Sequence, residues 1–131
     1  MKAIEIKNVV ENLGTRKIME KIMPPKMALA VDANLRALSK EAESIDRQRV
    51  AIVERYARKD ENGDPVVTSG QYVLTDEGKK AVPEEVEKLY DTDIEVSIRK
   101  ITEADIEECG AMDRYSPLAP VDIALLRFMI E

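Results

Sequence analysis

The chain has 131 residues, a formal net charge of −6 and 44% apolar side chains, enough for one ordinary domain that buries its core without staples. Charged residues make up 35% and aromatics 4%, so a core must come from Leu, Ile, Val, Met and Ala, which is helical-core material. The acidic balance argues against nucleic acid or an anionic membrane as partner, since neutralising phosphate needs a basic surface. The absence of histidine, with a single cysteine at Cys109, excludes a Ser-His-Asp triad, a Cys-His pair, an ordinary zinc site and an intrachain disulfide.

No apolar run approaches the ~20 residues of a membrane span, and MKAIEIKNVVENLG lacks a signal core. A soluble protein of a reducing cytoplasm is expected, as one domain over residues 1–131. No cofactor is expected. Carboxylate chemistry with Mg²⁺ is the one enzymatic class left open, and no carboxylate pair stands at a recognisable catalytic spacing, so the chain reads as a non-enzyme.

KAIEIKN alternates like a short strand over residues 2–8, and Asn8 with Glu11 resembles a capping box opening a helix that Pro24 and Pro25 end. Residues 27–58 follow without Gly or Pro. Within them Val31, Leu35, Leu38, Ala42, Ile45, Arg49, Ile52 and Tyr56 are spaced alternately by four and three, a heptad seam on a long central helix. Acid-before-base pairs at Asp32/Arg36, Glu43/Arg47 and Glu54/Arg58 support its solvent side.

Next, KDENGDP is a turn. It departs from a calcium-binding loop because Gly63 stands before Asp64 instead of after it and the twelfth residue from Asp60 is Gln71, so Asp60, Asn62 and Asp64 are expected to hold no metal. PVVTSGQYVLT predicts a β-hairpin about Ser69-Gly70. VPEEVEKLYDT predicts a short helix with Pro83 in its first turn, and DIEVSIRKI a strand able to pair with residues 2–8. Thr102 and Asp105 make a capping box, Gly110 a stop, and SPLAPVDIALLRFMIE a buried apolar C-terminal helix. The fold class is mainly α (α+β): a long central helix with helical-hairpin-like packing, a small β-hairpin, short strands and an apolar last helix.

A helix over residues 27–58 would be roughly 48 Å long at ~1.5 Å per residue, against a diameter of about 36 Å for a compact chain of this length. Part of the seam therefore needs a cover beyond the preceding helix. Leu35, Leu38, Ile45, Ile52 and Tyr56 are the candidate self-association seam, and a homo-oligomer, a dimer first, is expected. The strongly basic stretch DRQRVAIVERYARK supplies a candidate anion-binding face of Arg47, Arg49, Arg55, Arg58 and Lys59, with Arg47 and Arg58 eleven apart on one helical side. A solvated face is the plainer reading of those charges.

The order PPKMALAVDANLRALSKEAESIDRQRVAIVERYARKDENGD, GQYVLT, VEKLYDTDIEVSIRKIT and SPLAPVDIALLRFMIE resembles a group of short uncharacterised bacteriophage and prophage proteins. They share the proline-led long helix, a Tyr before a Lys-Asp-x-x-Gly turn, a Gly-x-Tyr segment and a Ser-Pro…Leu-x-Phe-Met tail. The resemblance runs from Pro24 onward and carries no catalytic motif and no site residues. It implies a phage context in the cytoplasm of a bacterial host. The expectation is then a non-enzymatic accessory protein that self-associates and binds a host protein, in counter-defence or host takeover. Virion assembly or a minor structural role is the first alternative, and sequestration of a small anionic nucleotide the second.

Overall fold

The computed structural model describes residues 1–131. Its axis is α2, Pro25–Arg55, opened by Pro25 in the first turn, where a missing N–H costs no intrahelical bond. Around it stand α1 (Ala3–Thr15), the hairpin β1 (Val67–Thr68) and β2 (Gln71–Tyr72), α3 (Asp76–Tyr90), α4 (Glu103–Ala111) and α5 (Pro120–Leu126). Short 3₁₀ turns cover Ile18–Glu20 and Arg127–Met129. The architecture is mainly α with a small antiparallel element, as the sequence predicts, and no helix is long and apolar enough to cross a membrane.

Both α1 and α3 pack against α2. Val31, Leu38 and Ile45, seven apart on the seam, are buried, while Leu35, Ala42, Ile52 and Tyr56 are half-buried. The core has two parts along the long helix. One joins Leu13, Ile18, Met27, Ala30 and Val31 to Ile101, Cys109, Leu126 and Met129. The other seats Leu38 and Ile45 against Ala3 and Ile6 of α1, with Leu89, Ile94 and Val96 at its edge.

The first segment corrects an expectation. Residues 2–8 are not a strand: Lys2 is the N-cap, and α1 buries Ala3, Ile6 and Leu13, a spacing that suits one helical face. A segment of seven residues fits either period, and the long helix offers a face to cover and no strand edge to extend. Pairing with the later segment shrinks to one antiparallel bridge, Lys2 with Asp93, flanked by Ala3 N–H donating to the Thr92 carbonyl at 2.9 Å and Ile94 N–H to that of Met1 at 2.8 Å.

Residues 94–100 are likewise no regular strand. The predicted alternation survives, Ile94, Val96 and Ile98 half-buried and Glu95, Ser97 and Arg99 exposed, but the ladder is missing. Asn34 of α2 takes its place. Arg99 N–H donates to Asn34 Oδ1 at 2.8 Å and Asn34 Nδ2 donates to the Arg99 carbonyl at 2.9 Å, so one buried amide imitates a strand partner.

Ser69 and Gly70 both have positive φ, 52° and 78°, as a two-residue hairpin turn of the right twist requires, and Thr68 faces Gln71. α3 begins about two turns before Pro83, the residue expected in its first turn, because Thr75 caps it by accepting the Gly78 N–H at 3.0 Å and Asp76 and Glu77 follow in the first turn. Gly78 is required there: a Cβ would lie 2.6 Å from that of Tyr56. The Thr102/Asp105 capping box opens α4 as predicted. The expected last helix is split, α5 ending at Leu126 before the 3₁₀ turn that buries Met129.

Candidate functional site

The basic face does not assemble as one row. α2 ends at Arg55, and Arg58 and Lys59 belong to an extended segment, with Arg58 N–H donating to the Val73 carbonyl at 2.7 Å and Lys59 bridged to Pro65. The helical argument that put Arg47 and Arg58 on one side therefore fails three residues before Arg58. Arg49 pairs with Asp46 at 3.0 Å, Arg55 with Glu85 at 3.4 Å, and Lys59 Nζ donates to the Glu54 carbonyl at 3.4 Å. Of the expected i,i+4 pairs only Asp32–Arg36 forms, at 3.2 Å. Arg47 and Arg58 make no ion pair, and Glu54 instead accepts from the Tyr72 hydroxyl at 2.8 Å, which raises the tyrosine's pKa. With Arg49, Arg55 and Lys59 engaged by other groups and Arg58 beyond the end of the helix, the stretch presents no single guanidinium row.

The seam is corrected as well. Leu38 and Ile45 are covered within their own chain and are not available to a partner. Leu35 is half-buried in a groove that Met19 shares. Ile52 faces the cleft between α2 and α3, and Tyr56 abuts Gly78.

In the acidic turn, the Asp60 carboxylate accepts the backbone N–H groups of Asn62 at 2.8 Å and Asp64 at 3.0 Å, and Gly63 sits at φ 81°. The carboxylate is thus committed to closing its own turn, and no group of three or more acidic or cysteine side chains is placed to hold a metal. The unfolding midpoint should be the same in calcium and in excess chelator, because a ligand bound to the native state would raise it. A rise of many degrees with calcium would contradict this.

Four features of the structure went unread in the sequence. Asp122, fully buried, accepts from Arg16 Nε at 2.8 Å and Nη2 at 3.3 Å and from the Ala119 N–H at 2.9 Å, with Lys21 Nζ at 3.7 Å. The Arg16 hydrogen bond, followed by that of Ala119, holds its carboxyl below the usual range. An acidic residue three places after Ala119 and two after Pro120 is a helix-start signal that could have marked it. Asn34 lies beside the seam, three after Val31 and four before Leu38, and a polar residue on an apolar stripe is the corresponding clue. Cys109 is buried, its thiol donating to the Ser116 carbonyl at 3.3 Å and pushed up in pKa by burial.

The fourth feature is apolar. Ile22, Met112 and Val121 are 63%, 42% and 48% exposed and come from segments tied together beside the N-terminal end of α2, whereas Met19, 52% exposed, lies farther along that helix in the groove with Leu35. Ile22 and Ser116 exchange two hydrogen bonds, 2.9 and 2.8 Å, joining the loop before α2 to the one that follows Met112. The Asp122 clamp brings Val121 to the same region. Compared with protein-family models, curated proteins and solved structures, the chain matches none.

Proposed function

We propose that the chain is a non-enzymatic accessory protein of phage type, acting by self-association and by binding a host protein through the N-terminal end of α2. The observation that supports this reading is the exposure of Ile22, Met112 and Val121 on segments that the Ile22–Ser116 hydrogen bonds and the Asp122 clamp tie together there. Single exposed apolar side chains are ordinary; several large ones collected at one place mark a contact surface. With Leu38 and Ile45 used inside the chain, self-association falls to this end and not to the heptad seam.

Light scattering at micromolar concentration should report at least twice 14.8 kDa for the wild type. The Ile22→Asp/Met112→Asp variant should return to the monomer mass with its helical circular dichroism unchanged. A wild-type monomer removes the self-association half of the reading. For the other half, a host protein captured from bacterial lysate by the wild type should be lost with the double variant. Capture of a capsid or tail protein from infected cells in its place would put virion assembly first.

A further inference from the structure

Beside that end, the opening turns of α2 and residues 99–100 form a hollow lined by Lys26, Leu29, Ala30, Arg99 and Lys100. Three cations on one hollow run against the sign of a chain whose net charge is −6. Lys26 meets Asp105 at 3.3 Å. Lys100 Nζ donates to the Phe128 carbonyl at 2.8 Å, a neutral acceptor that leaves its charge uncompensated. The Arg99 guanidinium is exposed and has neither an ion pair nor a hydrogen bond.

The backbone of Arg99 is nevertheless held tightly. Asn34, 1% exposed, gives both its amide oxygen and its amide nitrogen to that one residue. A buried amide is costly unless its groups are paired, so this arrangement fixes the point from which the arginine side chain starts. On the wall beside it, Leu29 is 62% exposed.

We infer that this hollow docks an acidic peptide segment of a partner protein, with carboxylates meeting Arg99 and Lys100 and an apolar side chain covering Leu29. A guanidinium takes a carboxylate through two parallel hydrogen bonds, and an ammonium beside it adds a second point charge. An extended polyanion such as nucleic acid would meet the chain's overall negative field, whereas a short acidic segment experiences chiefly the charges within a Debye length of about 8 Å. The inference rests on reading the chain as a binding protein, but not on self-association through Ile22 and Met112.

The test uses the full chain and a fluorescein-labelled peptide of alternating Glu and Leu, followed by anisotropy. Saturable binding is expected, weakened by salt, and absent for the analogue with Gln in place of Glu. Arg99→Glu should weaken binding by about tenfold or more, as loss of a close charge pair does. Arg99→Lys should recover part of that loss, and Leu29→Ala should weaken binding several-fold. Arg47→Glu, which alters an unpaired cation elsewhere on α2, should leave it unchanged. Because the Arg99 side chain is exposed and makes no hydrogen bond or ion pair within the chain, its variants should keep the wild-type circular dichroism.

The inference is overturned by equal binding of the Gln analogue, by an affinity indifferent to Arg99→Glu, by no saturable binding, or by a DNA oligonucleotide bound more tightly than the peptide. The Ile22→Asp/Met112→Asp variant separates the two ideas. It should be monomeric and still bind peptide: a variant that keeps the wild-type oligomer mass removes only the proposed contact end, and a wild type that self-associates but binds no peptide removes only this inference.

Discussion

Asp122→Ala should destabilise the protein by about 3 kcal/mol, the lower end of what breaking a buried ion pair costs. The lower end applies because the Arg16 side chain is 41% exposed and can turn to water once its partner is gone. What is not recovered is the Ala119 N–H, which loses the carboxylate oxygen at 2.9 Å, and the tie between the end of α1 and the start of α5. Asp122→Asn should lose nearly as much, since an amide oxygen can satisfy Ala119 but the neutral side chain forfeits the charge-assisted bond to Arg16. Urea denaturation measures the effect. A loss under about 1 kcal/mol would place the pair among ordinary surface contacts.

The same carboxylate gives the protein a pH dependence of definite sign. Its pKa is lowered in the folded state by Arg16 and Ala119, and that of Asp105 by the Thr102 N–H and Lys26. A carboxylate lowered on folding contributes stability that is fully present above its unfolded value, near ~3.9, and is lost as pH falls toward and through the folded value. Wild-type stability should therefore fall below about pH 4, and Asp122→Ala should show a shallower acid slope while being less stable at neutral pH.

Features carried by local chemistry were legible in the sequence. The Thr102 capping box, the Ser69-Gly70 turn and the long helix each depend on residues within one turn or one heptad of each other. Those that failed depend on distant chain. Whether KAIEIKN becomes strand or helix is decided by α2, which needs Ala3 and Ile6 as cover. DIEVSIRKI keeps its two faces but loses its ladder because an asparagine sixty-five positions earlier satisfies it. The start of α3 was misplaced for a different reason: Pro83 is a plausible first-turn residue, and Thr75 with Asp76 and Glu77 is a stronger start that lay upstream. Among the candidate site residues, the cations of the basic stretch were found but not their partners, because the end of a helix fixes which of them share a face. The apolar end and the Arg99 hollow are assembled from segments far apart in the chain, and no spacing rule could have joined them.

Leu38→Ala distinguishes a seam closed within the chain from one closed between chains. Leu38 is fully buried against α1, so the truncation should cost about 3 kcal/mol, within the ~2 to 5 kcal/mol range for such deletions. For a chain of this size that lowers the melting midpoint by roughly 10 to 15 °C. Its concentration dependence is the deciding measurement. A cover supplied by α1 and α3 of the same chain makes the loss equal at low and high protein concentration, whereas a cover supplied by a partner makes it shrink as mass action restores the complex. The variant should also keep the wild-type oligomeric state, because Leu38 lies away from the end that carries Ile22 and Met112. A loss that fades with rising concentration, or a variant that falls apart into monomers while still folded, would return the heptad seam to the role of an interface.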